Sequence, residues 1–129
     1  MKVKEKLNNA RRHIENARQI LKEKGKKEGR FYTDDKYISI AGHTAYRAVL
    51  LALNELMKQH GIQKKTRKHV DDYRDFIAQQ DRKILNYFNV VYNILHLDMG
   101  YDGIGKYTIV QDALQSAEFI IDWVEKRLK

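Results

Sequence analysis

The spacing of the first apolar residues constrains the fold of this chain more than any other feature. Six of them recur at alternating intervals of four and three residues: Val3, Leu7, Ala10, Ile14, Ala17 and Leu21. This period places an apolar stripe along one helix face, which must be buried against a partner. The chain contains no proline, so its helices can run without that interruption. The pattern predicts long amphipathic helices packed side by side.

Similar patterns follow along the chain. A second helix is expected between the capping residues Thr33 to Asp35 and Gly61, and its small residues (Ala41, Gly42, Ala45 and Ala48) would let a neighbouring helix approach closely. A last helix should begin near Thr108 and bury Ile109 among other residues. No strand-type alternation of useful length occurs. The sequence therefore predicts an all-α, up-and-down bundle of four to five helices, forming a single domain over residues 1–129.

The segment from Lys68 to Asp98 allows two readings. One continuous helix could cover it, or a third helix could stop near Gln80 with Asp81 capping a fourth. A helix of about 30 residues would be about 45 Å long and would extend beyond its partners. We therefore favour the break at Asp81.

Positive charge is concentrated in two segments. Residues 1–30 hold eleven Lys or Arg against four Glu, and residues 58–69 add five cations and no acid, in a chain of net charge +8. Such patches favour an anionic ligand or an acidic partner. The second segment supplies the predicted binding residues Lys64, Lys65, Arg67 and Lys68.

The N-terminal residues are charged and lack the apolar core of a signal peptide. No stretch has the roughly 18 to 20 apolar residues of a membrane span. The chain also contains no cysteine, which excludes disulfides and thiolate metal sites. We expect a cytoplasmic protein of bacterial type that does not enter a membrane.

The stretch "YNILHLDMGYDGIGKY", residues 92–107, carries three of the seven glycines. As a calcium loop it has too few oxygen ligands, because Gly100 and Ile109 occupy ligand positions. As a phosphate loop it lacks both the spacing and a preceding strand. The histidines form no metal-binding pairs, so neither a metal nor a cofactor is predicted. The glycines are those of a turn between two helices.

The helix directions suggest where a site would lie. If every helix reverses direction, the N-terminus, the Gly61 connector and the glycine-rich stretch share one end of the bundle. Lys64, Lys65, Arg67 and Lys68 would then lie near the weak catalytic candidates His96, Tyr101 and Asp102. His43 borders the apolar face of the second helix and is expected to be a packing residue.

The second helix, "YISIAGHTAYRAVLLALNELMKQHG" (residues 37–61), resembles the corresponding helix of HEPN-domain proteins. The stretch "KHVDDYRDFIAQQDRKILNYFNVVYNILHLDMGYDG" is similar to a bacterial HEPN-like group outside the nucleases. HEPN domains are helical bundles of prokaryotic toxin and defence systems, and many are metal-independent ribonucleases. The resemblance implies a HEPN-like bundle that is expected to form a homodimer.

HEPN ribonucleases carry an arginine that is followed, after four to six intervening residues, by a catalytic histidine. No histidine of this chain has such an arginine, and Asn89 stands at the nearest matching position before His96. The expected function is therefore a non-catalytic binding or interaction module whose basic end contacts a protein, a nucleotide or RNA. The alternative is a metal-independent ribonuclease or nucleotide-handling enzyme. A component of a toxin–antitoxin system is a third hypothesis, which gene neighbours would decide.

Overall fold

The computed structural model describes residues 2–63 and 67–128. The helices are α1 (Val3–Lys24), α2 (Asp35–Gln59), α3 (Val70–Gln80), α4 (Arg82–Val91), a π-helix (Tyr92–Tyr101) and α5 (Tyr107–Arg127). The short strands β1 (Lys27–Glu28), β2 (Phe31–Tyr32) and β3 (Gly105–Lys106) form an antiparallel sheet in that order. The all-α prediction is confirmed. The small sheet was not predicted, since two-residue strands have no alternation to recognise.

Helix α2 is central to the packing, in contact with α1, the π-helix and α5. Its small residues Ala41, Ala45 and Ala48 are completely buried. The predicted close approach is confirmed at Gly42, where a Cβ atom would lie 2.6 Å from Cβ of Met99 on the π-helix. A glycine is needed at this crossing because any side chain would collide with the neighbouring helix.

Ion pairs define the relative directions of the helices. Lys6 Nζ lies 3.3 Å from Glu55 Oε2, so the start of α1 lies beside the end of α2. Arg11 Nη2 lies 2.7 Å from Glu125 Oε1, which brings the end of α5 to the same region. The π-helix continues α4 and ends near Asp35, at the start of α2, where Gly103 packs against it. The helices α1, α2, α4 with the π-helix, and α5 thus alternate in direction.

The helix break is confirmed at Asp81. This residue is extended, with φ −166° and ψ 112°, and its side chain accepts hydrogen bonds from the backbone N–H groups of Lys83 at 2.9 Å and Ile84 at 3.4 Å. A carboxylate in this position satisfies donors that the first helical turn leaves unpaired. Residues 68–98 therefore do not form one continuous helix.

The predicted grouping of chain ends is wrong for the glycine-rich stretch. Gly105 and Lys106 pair with β2, so this stretch lies at the connector between α1 and α2, away from the N-terminus. The reason is the direction of α3. Tyr73 contacts Asn54 and Phe76 contacts His60, so α3 runs the same way as α2. With α3 parallel to α2, the chain makes one reversal fewer before the glycine-rich stretch, which places that stretch at the opposite end of the bundle from the one predicted.

Three smaller predictions also need correction. The fourth helix was expected to end at His96, with a glycine-built turn after it, but the helical segment continues as a π-helix through Gly100 to Tyr101. Asp34 occupies the N-cap of α2 without a side-chain cap hydrogen bond, and Thr33 Oγ1 instead donates to the carbonyl of Lys26 at 2.7 Å. Ile109 is 43% exposed, whereas the adjacent Val110 is buried, so the inner face of α5 begins one residue later than expected.

Within the described residues, no helix has the length and apolar character needed to cross a bilayer.

Candidate functional site

The π-helix aligns Tyr92, His96 and Tyr101. Its end has the wide hydrogen bonding of this helix type, with the N–H of Asp102 donating to the carbonyl of Leu97 at 3.1 Å. In an α-helix, residues five apart are rotated by about 140° from one another. Here the ring centroids of His96 and Tyr101 are 5.1 Å apart, and those of Tyr92 and His96 are 5.2 Å apart. The wider turn therefore brings Tyr101 beside His96. Short π-helical segments are frequent at functional sites.

Two glycine contacts hold α2 against this π-helix. A Cβ atom on Gly100 would lie 2.7 Å from Cε1 of His43, so the imidazole of His43 rests directly on the glycine backbone. Ser39 Oγ donates to the carbonyl of Gly100 at 2.5 Å. Together with the Gly42 crossing, these contacts fix His43 next to the aligned rings of the π-helix.

His96 lies at the centre of the resulting ring cluster. Its imidazole stacks on Tyr46 of α2, with centroids 4.4 Å apart and planes inclined by 26°. His43 meets it edge-on at 5.7 Å and also meets Tyr101 edge-on at 5.8 Å. His43 and Tyr101 are exposed, so one side of the cluster faces solvent.

A groove runs from this cluster along α2 toward the start of α3. Its main part has a volume of about 510 Å³, and an adjoining part has about 340 Å³. Both parts share Tyr46, Leu50, Arg67, Tyr73 and His96. We call this surface the His–Tyr groove; its other lining residues are His43, Arg47, Leu51, Asn54, Lys68, His69, Val70 and Tyr92.

The His–Tyr groove is positively charged. Arg47 and Arg67 are exposed, and neither forms an ion pair with another residue that the structure describes. Arg74 lies behind the groove, with its guanidinium 4.7 Å from the ring centre of Tyr92 and its Nε donating to Asn89 Oδ1 at 3.0 Å. The two uncommitted arginines are suited to bind an anion, because a guanidinium matches phosphate geometry with two parallel donors.

The environment of His96 favours its neutral form. Burial lowers the pKa of His96, and the nearby His43 and Arg67 lower it further. Its Nδ1 atom is buried and has no hydrogen-bond partner among the described residues. Because an unpaired buried acceptor is tolerated better than an unpaired buried N–H, we assign the single proton to Nε2. His96 is then a neutral hydrogen-bond donor.

Two tyrosine hydroxyls beside His96 also remain protonated. Burial raises the pKa of Tyr46, with smaller contributions from Tyr92 and Tyr73. Burial likewise raises the pKa of Tyr73, whose hydroxyl donates to Asn54 Oδ1 at 3.0 Å. The groove therefore offers neutral donors, flat ring surfaces and cations, and a carboxylate is missing from its described lining.

The structure brings together only part of the predicted site. His96, Arg67 and Lys68 line the His–Tyr groove, and Tyr101 contacts His96 at its edge. Asp102 is exposed and lines neither part of the groove. The predicted binding residues Lys64 and Lys65 lie outside the described residues.

Sequence reasoning missed His43, Tyr46 and Arg47 as site residues. His43 was expected to be a packing residue, but it is exposed and contributes to the groove. The available signal was spacing: His43 and Arg47 are four residues apart, which places them on the same face of α2. Their order is the reverse of the arginine-then-histidine order of HEPN ribonucleases.

Metal binding finds no support in the side-chain arrangement. Across residues 2–63 and 67–128, no three His, Asp or Glu side chains are grouped so that they could hold a metal ion. The chemistry available in the groove is that of imidazoles, phenols and guanidinium groups.

Comparison with known proteins identifies a family but not an activity. The chain is similar to a solved protein of unknown function from Dyadobacter fermentans, with 50% sequence identity and a TM-score of 0.93 over 99% of this chain and 100% of that one. No curated protein matches the sequence. The family model described as "Domain of unknown function (DUF5618)" matches residues 5–126. The chain therefore belongs to the DUF5618 family.

Proposed function

We propose that this protein is a non-catalytic, HEPN-like binding module that holds single-stranded RNA in the His–Tyr groove. The observation that carries the proposal is the combination of Arg47 and Arg67, which have no acidic partner among the described residues, with the ring cluster around His96. Arginines at the rim would contact phosphates, while the exposed Tyr101 ring would stack on a base. The proposal places this binding in the cytoplasm, as expected from the sequence.

The test is fluorescence anisotropy with a labelled single-stranded RNA and the full chain. Affinity should fall steeply as salt rises, because each phosphate contact releases counterions. Arg67→Gln should weaken binding and reduce the salt slope by about 1. Arg82→Gln is the matched control, since Arg82 is exposed on α4 and does not line the groove.

Two results would contradict RNA binding in this groove. An RNA affinity that does not change with salt would mean that the basic rim makes no phosphate contacts. The partner of the groove would then be a protein. Equal losses from Arg67→Gln and Arg82→Gln would mean that RNA responds only to total charge.

Metal-independent RNA cleavage is the second candidate function. It is favoured by the two imidazoles of His43 and His96, 5.7 Å apart in a groove that also contains Arg67. One imidazole would take the proton of a ribose 2′-hydroxyl as its oxygen attacks phosphorus. The other would give a proton to the departing 5′-oxygen, and the products would be a 2′,3′-cyclic phosphate and a 5′-hydroxyl. The neutral state of His96 argues against its acting as the acid, and a proton on Nε2 leaves that nitrogen without the lone pair that a base needs.

A cleavage assay in excess chelator separates the two functions. Product formation that is lost in both His43→Gln and His96→Gln, with RNA affinity retained, would establish the enzyme. RNA that is bound but not cleaved would support the non-catalytic binding module. Glutamine is preferred to alanine at position 96, because the stacked ring fills space against Tyr46.

The homodimer expected from the HEPN resemblance is also part of the proposal. Light scattering on the full chain at micromolar concentration should give twice the monomer mass. A monomer mass at every concentration tested would remove the dimer from the proposal while leaving the groove unaffected.

A further inference from the structure

A second basic hollow lies at the three-stranded sheet, where α1 ends and α5 begins. Its larger part has a volume of about 520 Å³ and its smaller part about 340 Å³. Lys27 and Tyr107 line both parts. We call this surface the sheet groove; the cations that line it are Arg18, Lys22, Lys26, Lys27, Arg30 and Lys106.

The cations of the sheet groove are largely uncompensated. Apart from Arg18, which pairs with Glu118 at 2.6 Å, none of them forms an ion pair with another residue in the described part of the chain. Glu23 is the acidic residue of the described lining, and it already accepts a hydrogen bond from Gln19 at 2.7 Å. The positive charges around this one hollow create a strong attraction for an anion.

The backbone directs two consecutive lysines into the same hollow. In an extended chain, neighbouring side chains point to opposite sides. Lys26 has a left-handed backbone with φ 51°, a conformation uncommon for residues other than glycine. Its side chain and that of Lys27 therefore both line the larger part. Thr33 supports this conformation by donating to the Lys26 carbonyl through its backbone N–H at 3.1 Å and its hydroxyl at 2.7 Å.

Two tyrosines give the sheet groove an aromatic and a polar component. The Tyr107 ring is 39% exposed, and Lys27 Nζ lies 4.7 Å from its centre. The Tyr32 side chain is more than nine-tenths buried, and its hydroxyl accepts a hydrogen bond from Gln111 at 3.0 Å. Gln111 is held in turn by Arg18 at 3.0 Å. Within the described residues the Tyr32 hydroxyl donates to no acceptor, so its proton remains for a ligand.

We propose that the sheet groove binds a nucleoside phosphate, with the phosphate among Lys26, Lys27 and the Tyr32 hydroxyl and the base stacked on Tyr107. Lys27 is placed to exchange its contact with the ring for a contact with phosphate, which uncovers the ring face for the base. This site is separate from the His–Tyr groove and does not depend on RNA binding there.

Calorimetric titration of the full chain with 5′-AMP, inorganic phosphate and adenosine tests the site. The nucleotide should bind more tightly than either of its parts. Tyr107→Leu should weaken 5′-AMP binding about tenfold, as expected for the loss of one stacked base, and should leave phosphate binding unchanged. Lys27→Gln should weaken both 5′-AMP and phosphate. Tyr32→Phe should weaken 5′-AMP while keeping the ring.

The chain offers a matched control for each variant. Phe31→Leu removes an exposed ring of β2 outside the groove lining, and Lys83→Gln removes an exposed cation of α4. Neither should change 5′-AMP affinity. Circular dichroism melting of each variant shows that the fold is retained. The site is disproved if Tyr107→Leu has no more effect than Phe31→Leu, because the groove would then be only a patch of charge.

An oligonucleotide identifies the source of the nucleoside phosphate. If a single-stranded RNA displaces 5′-AMP and is weakened by Tyr107→Leu, the groove holds one nucleotide of a strand. If it does not displace 5′-AMP, the groove takes a free nucleotide. Arg67→Gln separates this site from the RNA-binding proposal, since it should leave the Tyr107-dependent affinity intact whatever happens at the His–Tyr groove.

Discussion

The imidazole of His96 connects packing to ionisation. Its ring stacks on Tyr46 and contacts Tyr92, Tyr101 and His43, and its Nδ1 atom has no partner among the described residues. A charged imidazolium in this position would lose solvation and face Arg67. The same surroundings that make His96 a neutral donor therefore make its protonation unfavourable in the folded state.

This coupling predicts a pH dependence of stability. The pKa of His96 is lowered in the folded protein, whereas in the unfolded chain it should be about 6.5. The unfolded state then binds more protons as pH falls through about 6.5, so stability decreases on acidification. Thermal melting from about pH 7 to about pH 5 should show a larger decrease for the wild type than for His96→Gln.

The control for this prediction is His13→Gln on α1, which lies outside the ring cluster and should keep the wild-type pH dependence. Equal acid sensitivity of the wild type and His96→Gln would show that other groups control the effect.

Residue identities alone revealed part of the site. His96, Tyr101, Arg67 and Lys68 could be selected because they combine chemical reactivity with a glycine-rich or basic context. His43 could not, because a histidine beside an apolar stripe is usually packed, and its place in the site depends on the contact of its ring with Gly100. That contact is made across 57 residues of sequence and leaves no local pattern.

At the level of the elements, the crossing of α2 and the π-helix positions both histidines. A Cβ atom at position 42 would approach the Leu95 carbonyl and lie 2.9 Å from the Gly100 nitrogen. These are backbone atoms that cannot move aside independently. Gly42→Ala should therefore force the helices apart and cost about 1 to 3 kcal/mol of stability, as overpacking usually does.

Urea denaturation measures this loss, and Thr44→Ala, two residues further along α2, is the control expected to stay near wild type. Gly42→Ala should also weaken RNA binding, because it moves His43 away from His96. A Gly42→Ala protein of unchanged stability would mean that the crossing is looser than the structure describes.

The Asp81 cap provides a second prediction at this scale. Asp81→Ala removes the acceptor for the first N–H groups of α4 and should cost about 1 kcal/mol. Asp81→Asn keeps an acceptor at the same position and should cost less. The difference in free energy of unfolding between the two variants isolates the cap, and two equal losses would assign the effect to charge instead.

Periodicity predicted the α-helices and the break at Asp81, because caps and apolar stripes are local signals. The π-helix left no such signal. The glycines at positions 100, 103 and 105 suggest a turn, whereas Leu95, Met99 and Gly100 of the π-helix pack closely against Gly42 of α2. Tertiary packing selected a helix type that the local sequence did not indicate.

At the scale of the whole molecule, one connection determines where the sites lie. The expectation that each helix reverses direction put the glycine-rich stretch with the N-terminus. Because α3 runs parallel to α2, that stretch instead joins the sheet, beside the basic end of α1. The error concerned the path of a connector, which apolar spacing does not encode. Because the glycine-rich stretch joins the sheet, the His–Tyr groove and the sheet groove lie at the two ends of residues 101–107.

Tyr101 belongs to the His–Tyr groove region and Tyr107 to the sheet groove, and six residues span at most about 22 Å. An RNA strand that occupies both grooves should therefore have more of its phosphates contacted by the protein than an RNA strand that occupies a single groove. An RNA of about 20 nucleotides should lose salt slope in both Arg67→Gln and Lys27→Gln, by about 1 each, with the two reductions adding in the double variant. An RNA of about two nucleotides is too short to reach both grooves and should respond to only one of the two variants. Anisotropy titrations over a salt series measure these slopes. If Lys27→Gln leaves the salt slope of the longer RNA unchanged, the RNA occupies only the His–Tyr groove. The sheet groove would then bind a free nucleotide.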